Sequence, residues 1–340
     1  MLFKNLNFVE FWQKKSLLNY LLLPLCLIWW ILSQLRKFKP AYESKLFVIC
    51  LGNLNLGGSG KTPTAIFLGK ALPEILNDPA VKIAFLSKGY GGALKNIWVD
   101  ANKHGALEAG DEPLLLAQHL PTFVCDNMIN GLKILESSGF HIVITDDGFQ
   151  NPTFKKDFNI LVVNGYYGFG NGLIFPAGSL RESIKGGLKK ADIMVLLERS
   201  NKKIKKLAEE YRLPIINGEY VPTNMEINKE DKYLAFCGIG IPKKFKKTLR
   251  KYHIKTEEFL VFPDHYNYTP ADINNLIKNA DDRNLALLTT QKDYVKIPLQ
   301  SRAKILSFNI ELRINNSQLL LDKIIKNYEE KKEKTIKENS

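Results

Sequence analysis

At 340 residues the chain is long enough to bury two hydrophobic cores. Its 45% apolar and 24% charged residues describe an ordinary folded protein and exclude a disordered one. The formal charge of +13 favours polyanionic partners, whether nucleic acid, phosphorylated metabolites or an anionic membrane surface. Cysteines 26, 50, 125 and 237 have no C-x-x-C or Cys/His spacing, which argues against structural zinc and an extracellular disulfide framework.

The first predicted element is apolar. Residues 17–35 read LLNYLLLPLCLIWWILSQL, with Lys14 and Lys15 before them and Arg36, Lys37 and Lys39 after. As a helix this segment extends about 28 Å, close to the thickness of a hydrocarbon core. Trp29 and Trp30 suit a membrane interface, Pro24 predicts a kink, and Asn19, Ser33 and Gln34 weaken the segment as a spanner. No small-residue cleavage site follows, so a signal peptide is not expected. The reading is a membrane-associated helix, either spanning or lying in the interface, with a buried core helix as the alternative.

Further along, 46–50 reads as a strand ending at a glycine loop, and 62–72 as the helix beginning there. Strands are expected at 81–87, 122–125, 141–147, 159–165 and 192–198, with helices at 111–120 and 127–138. Apolar strands alternating with helices predict a parallel sheet covered on both faces. The stretch 214–232 is turn-rich. The pattern restarts at 233–240, continues with a basic helix near 242–250 and a helix at 271–279, and implies a second, smaller α/β domain. The Lys/Glu-rich tail from Lys326 is expected to be a fraying helix end or disordered. The domain reading is therefore 1–40 hydrophobic helix, 41–215 nucleotide-binding domain, 216–232 hinge, 233–325 smaller domain and 326–340 charged tail.

The chemistry centres on GNLNLGGSGKTP, residues 52–63. A glycine loop between a strand and a helix presents backbone N–H groups to phosphates, and the helix start adds favourable partial charge. The P-loop pattern G-x-x-x-x-G-K-[ST] asks for glycine at position 55, where Asn55 stands; asparagine tolerates left-handed geometry better than most residues. The candidate phosphate cradle is Asn55, Leu56, Gly57, Gly58, Ser59, Gly60, Lys61 and Thr62, with a plain tight turn as the alternative. Lys61 would reach the β/γ-phosphates, and the Thr62 hydroxyl would ligate Mg²⁺. Asp146 and Asp147 end an apolar strand where a magnesium-associated acid is expected, or where capping carboxylates would also sit. Asp111 in GDEP and His265 in FPDHY are candidates to orient or deprotonate an acceptor, although an Asp before a helix is often only a cap and a lone His is often structural. Arg181 and Glu182 in PAGSLRE fit either phosphoryl-charge neutralisation or a surface salt bridge.

Taken together, GNLNLGGSGKTP, SKGYGG, GDEP, TDDGFQ, PAGSLRE, FPDHY and TTQKD, in that order from residue 52 to 293, resemble the tetraacyldisaccharide 4'-kinases of lipid A biosynthesis. The hydrophobic N-terminus also fits that family. The resemblance implies an α/β fold: two α/β/α lobes of the P-loop kinase type with mostly parallel sheets, a β-strand hinge and an active site in the cleft. It implies ATP- and Mg²⁺-dependent phosphorylation of the 4'-hydroxyl of an acylated glucosamine disaccharide 1-phosphate. The reaction would take place at the cytoplasmic face of the bacterial inner membrane, against its anionic surface. Carried over by motif, Asp111 looks like the catalytic carboxylate and His265 its partner, with Lys61, Arg181 and Glu182 in the site and Asp146 and Asp147 beside Mg²⁺. The family loop commonly carries a non-glycine at the position of Asn55. Departures from the family pattern are Lys88 for Arg, Asn151 for His and Ser179 for Pro, which touch fine geometry rather than reaction class.

No nucleic-acid module and no obligate protein partner are expected. The rival reading is a membrane-associated P-loop ATPase or GTPase. It leaves GDEP and FPDHY without a task, and the guanine-reading N-K-x-D of a GTPase is expected to be absent.

Overall fold

The computed structural model describes residues 11–35, 40–223, 227–264 and 266–339. The chain groups into two compact units, one within Met1–Lys88, His119–Glu219 and Leu312–Ser340, the other within Gly89–Gln118 and Tyr220–Glu311.

The sheet of the first unit includes β1 (Phe47–Gly52), β2 (Ile83–Ser87), β3 (Thr122–Val124), β4 (Ile142–Asp146), β5 (Phe158–Asn164), β6 (Ile193–Leu197) and β7 (Ile215–Pro222). They lie side by side in the order β7-β6-β5-β1-β4-β2-β3, every neighbouring pair parallel. Successive strand residues point to opposite faces, yet Phe47 through Leu51 are all buried. Both faces are therefore covered, as the apolar strand runs predict. The helix Lys61–Leu76 follows β1 directly and starts one residue earlier than expected. Because β1 sits between β4 and β5, the loops leaving β1 and β4 emerge together, with Leu51 in register with Asp146. Ligands collect at such a switch point, beyond the carboxyl ends of the strands.

Two expectations need correcting here. The apolar N-terminal run is two helices, Leu17–Leu21 and Leu23–Leu35, rather than one. The break at Leu22 comes just before Pro24, which has no N–H to donate and crowds the preceding turn. Among the described residues no helix is long and apolar enough to cross a membrane. The charged tail belongs to one long helix, Ser317–Asn339. Its first turns bury Leu320, Leu321 and Ile324, Tyr328 packs edge-on against Phe47, and Lys331 reaches Asp157 at 2.7 Å. Those anchors fix a segment whose composition alone reads as solvated.

The second unit has β8 (Lys232–Cys237), β9 (Lys255–Val261), β10 (Ala286–Thr290) and β11 (Ile305–Phe308), in the order β9-β8-β10-β11, all parallel. The basic helix Pro242–Lys251 turns Phe245 and Leu249, one turn apart, into the core. The helix Pro270–Asp282 is capped by Thr269, which accepts from the Asp272 N–H. The segment 89–118 contributes the helix Asp111–Ala117 to this unit. In the stretch read as turn-rich, Ile215–Pro222 is a strand with alternating burial; Asn217 and Glu219 on its less buried face mask the signal.

Candidate active site

The glycine loop joins β1 to its helix through two glycines with positive φ, Gly57 at 110° and Gly60 at 101°. Gly60 is the N-cap, so the left-handed turn delivers Lys61 and Thr62 as the first helical residues, where N–H groups lack helical partners. A methyl group at Gly57 or Gly58 would meet nothing within 4 Å, so the loop backbone faces open space. Asn53, which the sequence reading passed over, holds the loop from inside. Its Nδ2 donates to the Asn55 and Gly57 carbonyls at 2.8 and 3.2 Å, and its Oδ1 accepts from Lys61 Nζ at 3.3 Å. Gln150 Nε2 donates to the Asn53 carbonyl at 2.8 Å.

Asn55 has a different role from the one expected. It is not in the left-handed region but forms an antiparallel bridge with Leu180, and its Nδ2 donates to the Gly168 carbonyl at 2.7 Å. The flanking contacts, Leu56 N–H to Ser179 O and Arg181 N–H to Leu54 O, are both 2.7 Å. The loop is thereby stitched to the PAGSLRE segment, and that stitching brings Arg181 in.

Asp147 is where the candidate residues of this unit meet. It follows β4 with φ at 62°, an uncommon conformation for a non-glycine residue that aims the carboxylate back across the loop. Lys61 Nζ lies 3.6 Å away, and Arg181 Nη1 donates to both carboxylate oxygens at 2.6 and 2.8 Å. Burial penalises the charged form of Asp147, but Lys61 and Arg181 outweigh it and hold the carboxyl below its usual range. Asp146 closes β4 beside Leu51 of β1. Glu182 turns to Lys190, 2.5 Å from its Nζ. Lys156, another residue missed from sequence, is pushed down by burial and stands over the Phe154 ring.

The N-terminal helices pack on the far end of the same PAGSLRE loop. Trp12 Nε1 donates to Pro176 O at 3.1 Å, Asn19 Nδ2 to Ala177 O at 2.7 Å, and Cys26 Sγ to Ile174 O at 3.1 Å. Trp29 meets Phe175 edge-on at 5.2 Å. Among the described side chains, much of the remaining helical surface is apolar and open to solvent, with Leu17 78% and Leu21 67% exposed.

In the second unit Asp111 opens its helix after Gly110, whose φ of 93° turns the chain. Its carboxylate is buried, and its Oδ2 lies 3.8 Å from Lys296 Nζ. The next residue, Glu112, pairs with Lys292 of TTQKD at 2.8 Å. Burial alone would lower the Lys292 pKa, but Glu112 and then Asp111 raise it, so the cation persists. His265 lies outside the described residues.

One absence expected from sequence is corrected. N-K-x-D does occur, at residues 228–231, but as a self-closed turn. Asn228 Nδ2 donates to Asp231 Oδ1 at 3.1 Å, Asn228 Oδ1 accepts from the Glu230 N–H, and Glu230 pairs with Lys255. The asparagine's donor and acceptor are both engaged within the turn rather than offered to a base.

The chain is similar to known proteins over most of its length. The family model described as tetraacyldisaccharide-1-P 4'-kinase matches residues 18–329. A tetraacyldisaccharide 4'-kinase of Rickettsia canadensis is 39% identical over 323 residues, covering 94% of this chain and 97% of the relative. That of Rickettsia felis is 38% identical over 322 residues, covering 94% and 97%. The crystal structure of LpxK from Aquifex aeolicus in complex with ATP superposes with a TM-score of 0.72 at 27% identity, covering 92% of this chain and 100% of that one.

Proposed function

The chain belongs to the tetraacyldisaccharide-1-P 4'-kinase family, and from that premise we propose how its residues carry the reaction. It is an ATP-dependent kinase that phosphorylates the 4'-hydroxyl of a tetraacyldisaccharide 1-phosphate, giving the 4'-phosphorylated lipid A precursor. The observation that supports our assignment of roles most directly is the convergence of Lys61 and Arg181 on Asp147 at the open glycine loop.

The loop N–H groups from Gly57 to Thr62 cradle the donor phosphates, while Asn55 and Leu56 pin the loop to Leu180 and Ser179. Lys61 and Arg181, held in place by Asp147, neutralise charge on the transferring phosphoryl oxygens. Asp111, assisted by His265, accepts the proton of the 4'-hydroxyl. The electron pair of that O–H bond forms the new O–P bond, and the β–γ bridging P–O bond breaks with its pair leaving on ADP. The Thr62 hydroxyl with the Asp146 and Asp147 carboxylates is a hard-oxygen donor set of the kind Mg²⁺ takes alongside phosphate and water, so these residues would hold it. When bound, Mg²⁺ would neutralise phosphate charge. Glu182 pairs with Lys190.

The exposed apolar face of the two N-terminal helices supports attachment to a bilayer, where an acylated substrate resides, and the excess of basic residues supports an anionic surface. We assign the working location to the cytoplasmic face of the inner membrane.

Incubation with γ-labelled ATP, Mg²⁺ and dispersed disaccharide 1-phosphate tests this reading. Label should pass to the lipid and fall by at least about 100-fold in Lys61→Ala and Asp111→Ala. Nucleotide hydrolysis with no labelled lipid, under conditions where the lipid is well dispersed, would sink it.

A further inference from the structure

Lys296 follows the TTQKD stretch, and its side chain is 1% exposed. Its ammonium lies 2.8 Å from Oδ1 of Asp293, donates to the Gly238 carbonyl at 3.4 Å and stands 5.8 Å from the centroid of the Tyr268 ring. Asp293 is itself fastened: its Oδ2 accepts from the Gly238 N–H at 3.0 Å and from Thr290 Oγ1 at 2.7 Å. The lysine is thus moored to a fixed, fully buried carboxylate, and Asp111 receives its charge from 3.8 Å.

That separation matters chemically. It is beyond hydrogen-bonding reach, so the ammonium does not consume a lone pair of Asp111. It is still short enough for the Coulomb attraction to offset the cost of burying a carboxylate. Among the described residues, the other charges near Asp111 include Glu112 on its own helix, Asp293, and Lys292, which pairs with Glu112 and also interacts with Asp111 and Asp264. Without Lys296, Asp111 and Asp293 would be two buried carboxylates deprived of the ammonium they share.

We propose that Lys296 is a positioning residue for the phosphoryl transfer: moored by Asp293, it keeps the Asp111 carboxylate ionised and in place without taking the electron pair that accepts the hydroxyl proton. The proposal rests on Asp111 being that acceptor, and the test separates the two. The full-length wild type, Lys296→Met, Lys296→Arg, Asp111→Asn and the double variant Asp111→Asn/Lys296→Met are assayed for lipid phosphorylation from about pH 5 to 9. Lys296→Met should lower kcat by roughly 30-fold or more and move the acid limb of the pH profile up by about one unit, with KM for ATP within about 3-fold of wild type. Lys296→Arg, which keeps the charge, should recover most of kcat and return the acid limb. In the Asp111→Asn background Lys296→Met should cost nothing further.

A Lys296→Met enzyme with wild-type kcat and acid limb overturns the proposal. So does a kcat loss with an unmoved acid limb that arginine does not rescue. If the methionine variant fails to fold, the arginine variant decides: retained kcat with the wild-type acid limb supports the role, and a loss as deep as that of Asp111→Asn removes it. Near wild-type activity in Asp111→Asn would instead remove the base assignment itself, whatever Lys296 does.

Discussion

Arg181 Nη1 donates to both carboxylate oxygens of Asp147, at 2.6 and 2.8 Å, and Lys61 Nζ lies 3.6 Å from the same carboxylate. One anion therefore fixes two cations from distant parts of the sequence beside the glycine loop. If Asp147 and Arg181 act as a unit, their effects will not add. Arg181→Ala and Asp147→Asn should each lower kcat by about 10²-fold, and the double variant should lose no more than about 3-fold beyond the worse single. Steady-state kinetics on the four proteins checks this; fully multiplicative losses would show that the two act independently.

Asn19 is fully buried within an otherwise apolar segment, donating to Ala177 O and accepting from Ser16 N–H and Oγ, each at 2.7 Å. Asn19→Leu leaves the Ala177 carbonyl without this donor and should cost about 1–3 kcal/mol. Because the same loop carries Arg181, activity in detergent should fall as well, even with no bilayer to bind. Deleting residues 1–35 should both release the protein from vesicles and lower its melting temperature. Melting curves beside vesicle flotation separate the effects; a deletion that changes partitioning alone would show that the helices serve only as an anchor.

Two glycines of the loop should respond to alanine for different reasons. A methyl group at Gly52 would lie 2.0 Å from Phe149 Cβ, so Gly52→Ala forces the β1 end and the Asp147 turn apart and should cost about 3 kcal/mol or more of stability. At Gly57 nothing lies within 4 Å, but φ is 110°, so alanine there should cost only about 1–2 kcal/mol while weakening nucleotide binding. Urea unfolding curves and nucleotide titrations distinguish the two; equal stability losses would contradict the assignment.

Burial pushes the Cys50 thiol up to about 11, and all four cysteines are buried. A thiol neutral at pH 8 and hidden from solvent does not attack electrophiles. Native protein at pH 8 should take up less than about a tenth of the iodoacetamide that the urea-unfolded chain does, as read by mass spectrometry. Rapid alkylation of Cys50 in the native protein would mean that β1 opens more readily than its packing implies.

Much of this organisation was legible in the sequence, because the first unit's strands are buried on both faces and read as plain apolar runs. The glycine loop, Lys61, Asp147 and Arg181 were legible as types, since each carries charge or backbone freedom next to a strand end. The role of Asn55 was not: its partners, Gly168 and Leu180, lie more than a hundred residues away, and only the folded chain joins them. The same holds for Asn53 and for the mooring of Lys296 by Asp293, where an ordinary lysine three residues after an aspartate looks like a helix surface pair. The strand Ile215–Pro222 and the ordered tail were missed because polar residues on one face outweigh a half-buried stripe on the other.

The central claim is regiochemical, and it is best tested by locating the phosphate in the isolated product of wild-type enzyme, ATP, Mg²⁺ and tetraacyldisaccharide 1-phosphate by two-dimensional proton–phosphorus NMR. The account predicts one new phosphomonoester, coupled to the 4'-proton of the distal sugar, formed with one ADP per lipid. A phosphate on any other hydroxyl, or inorganic phosphate as the sole phosphorus product from well-dispersed lipid, would contradict it.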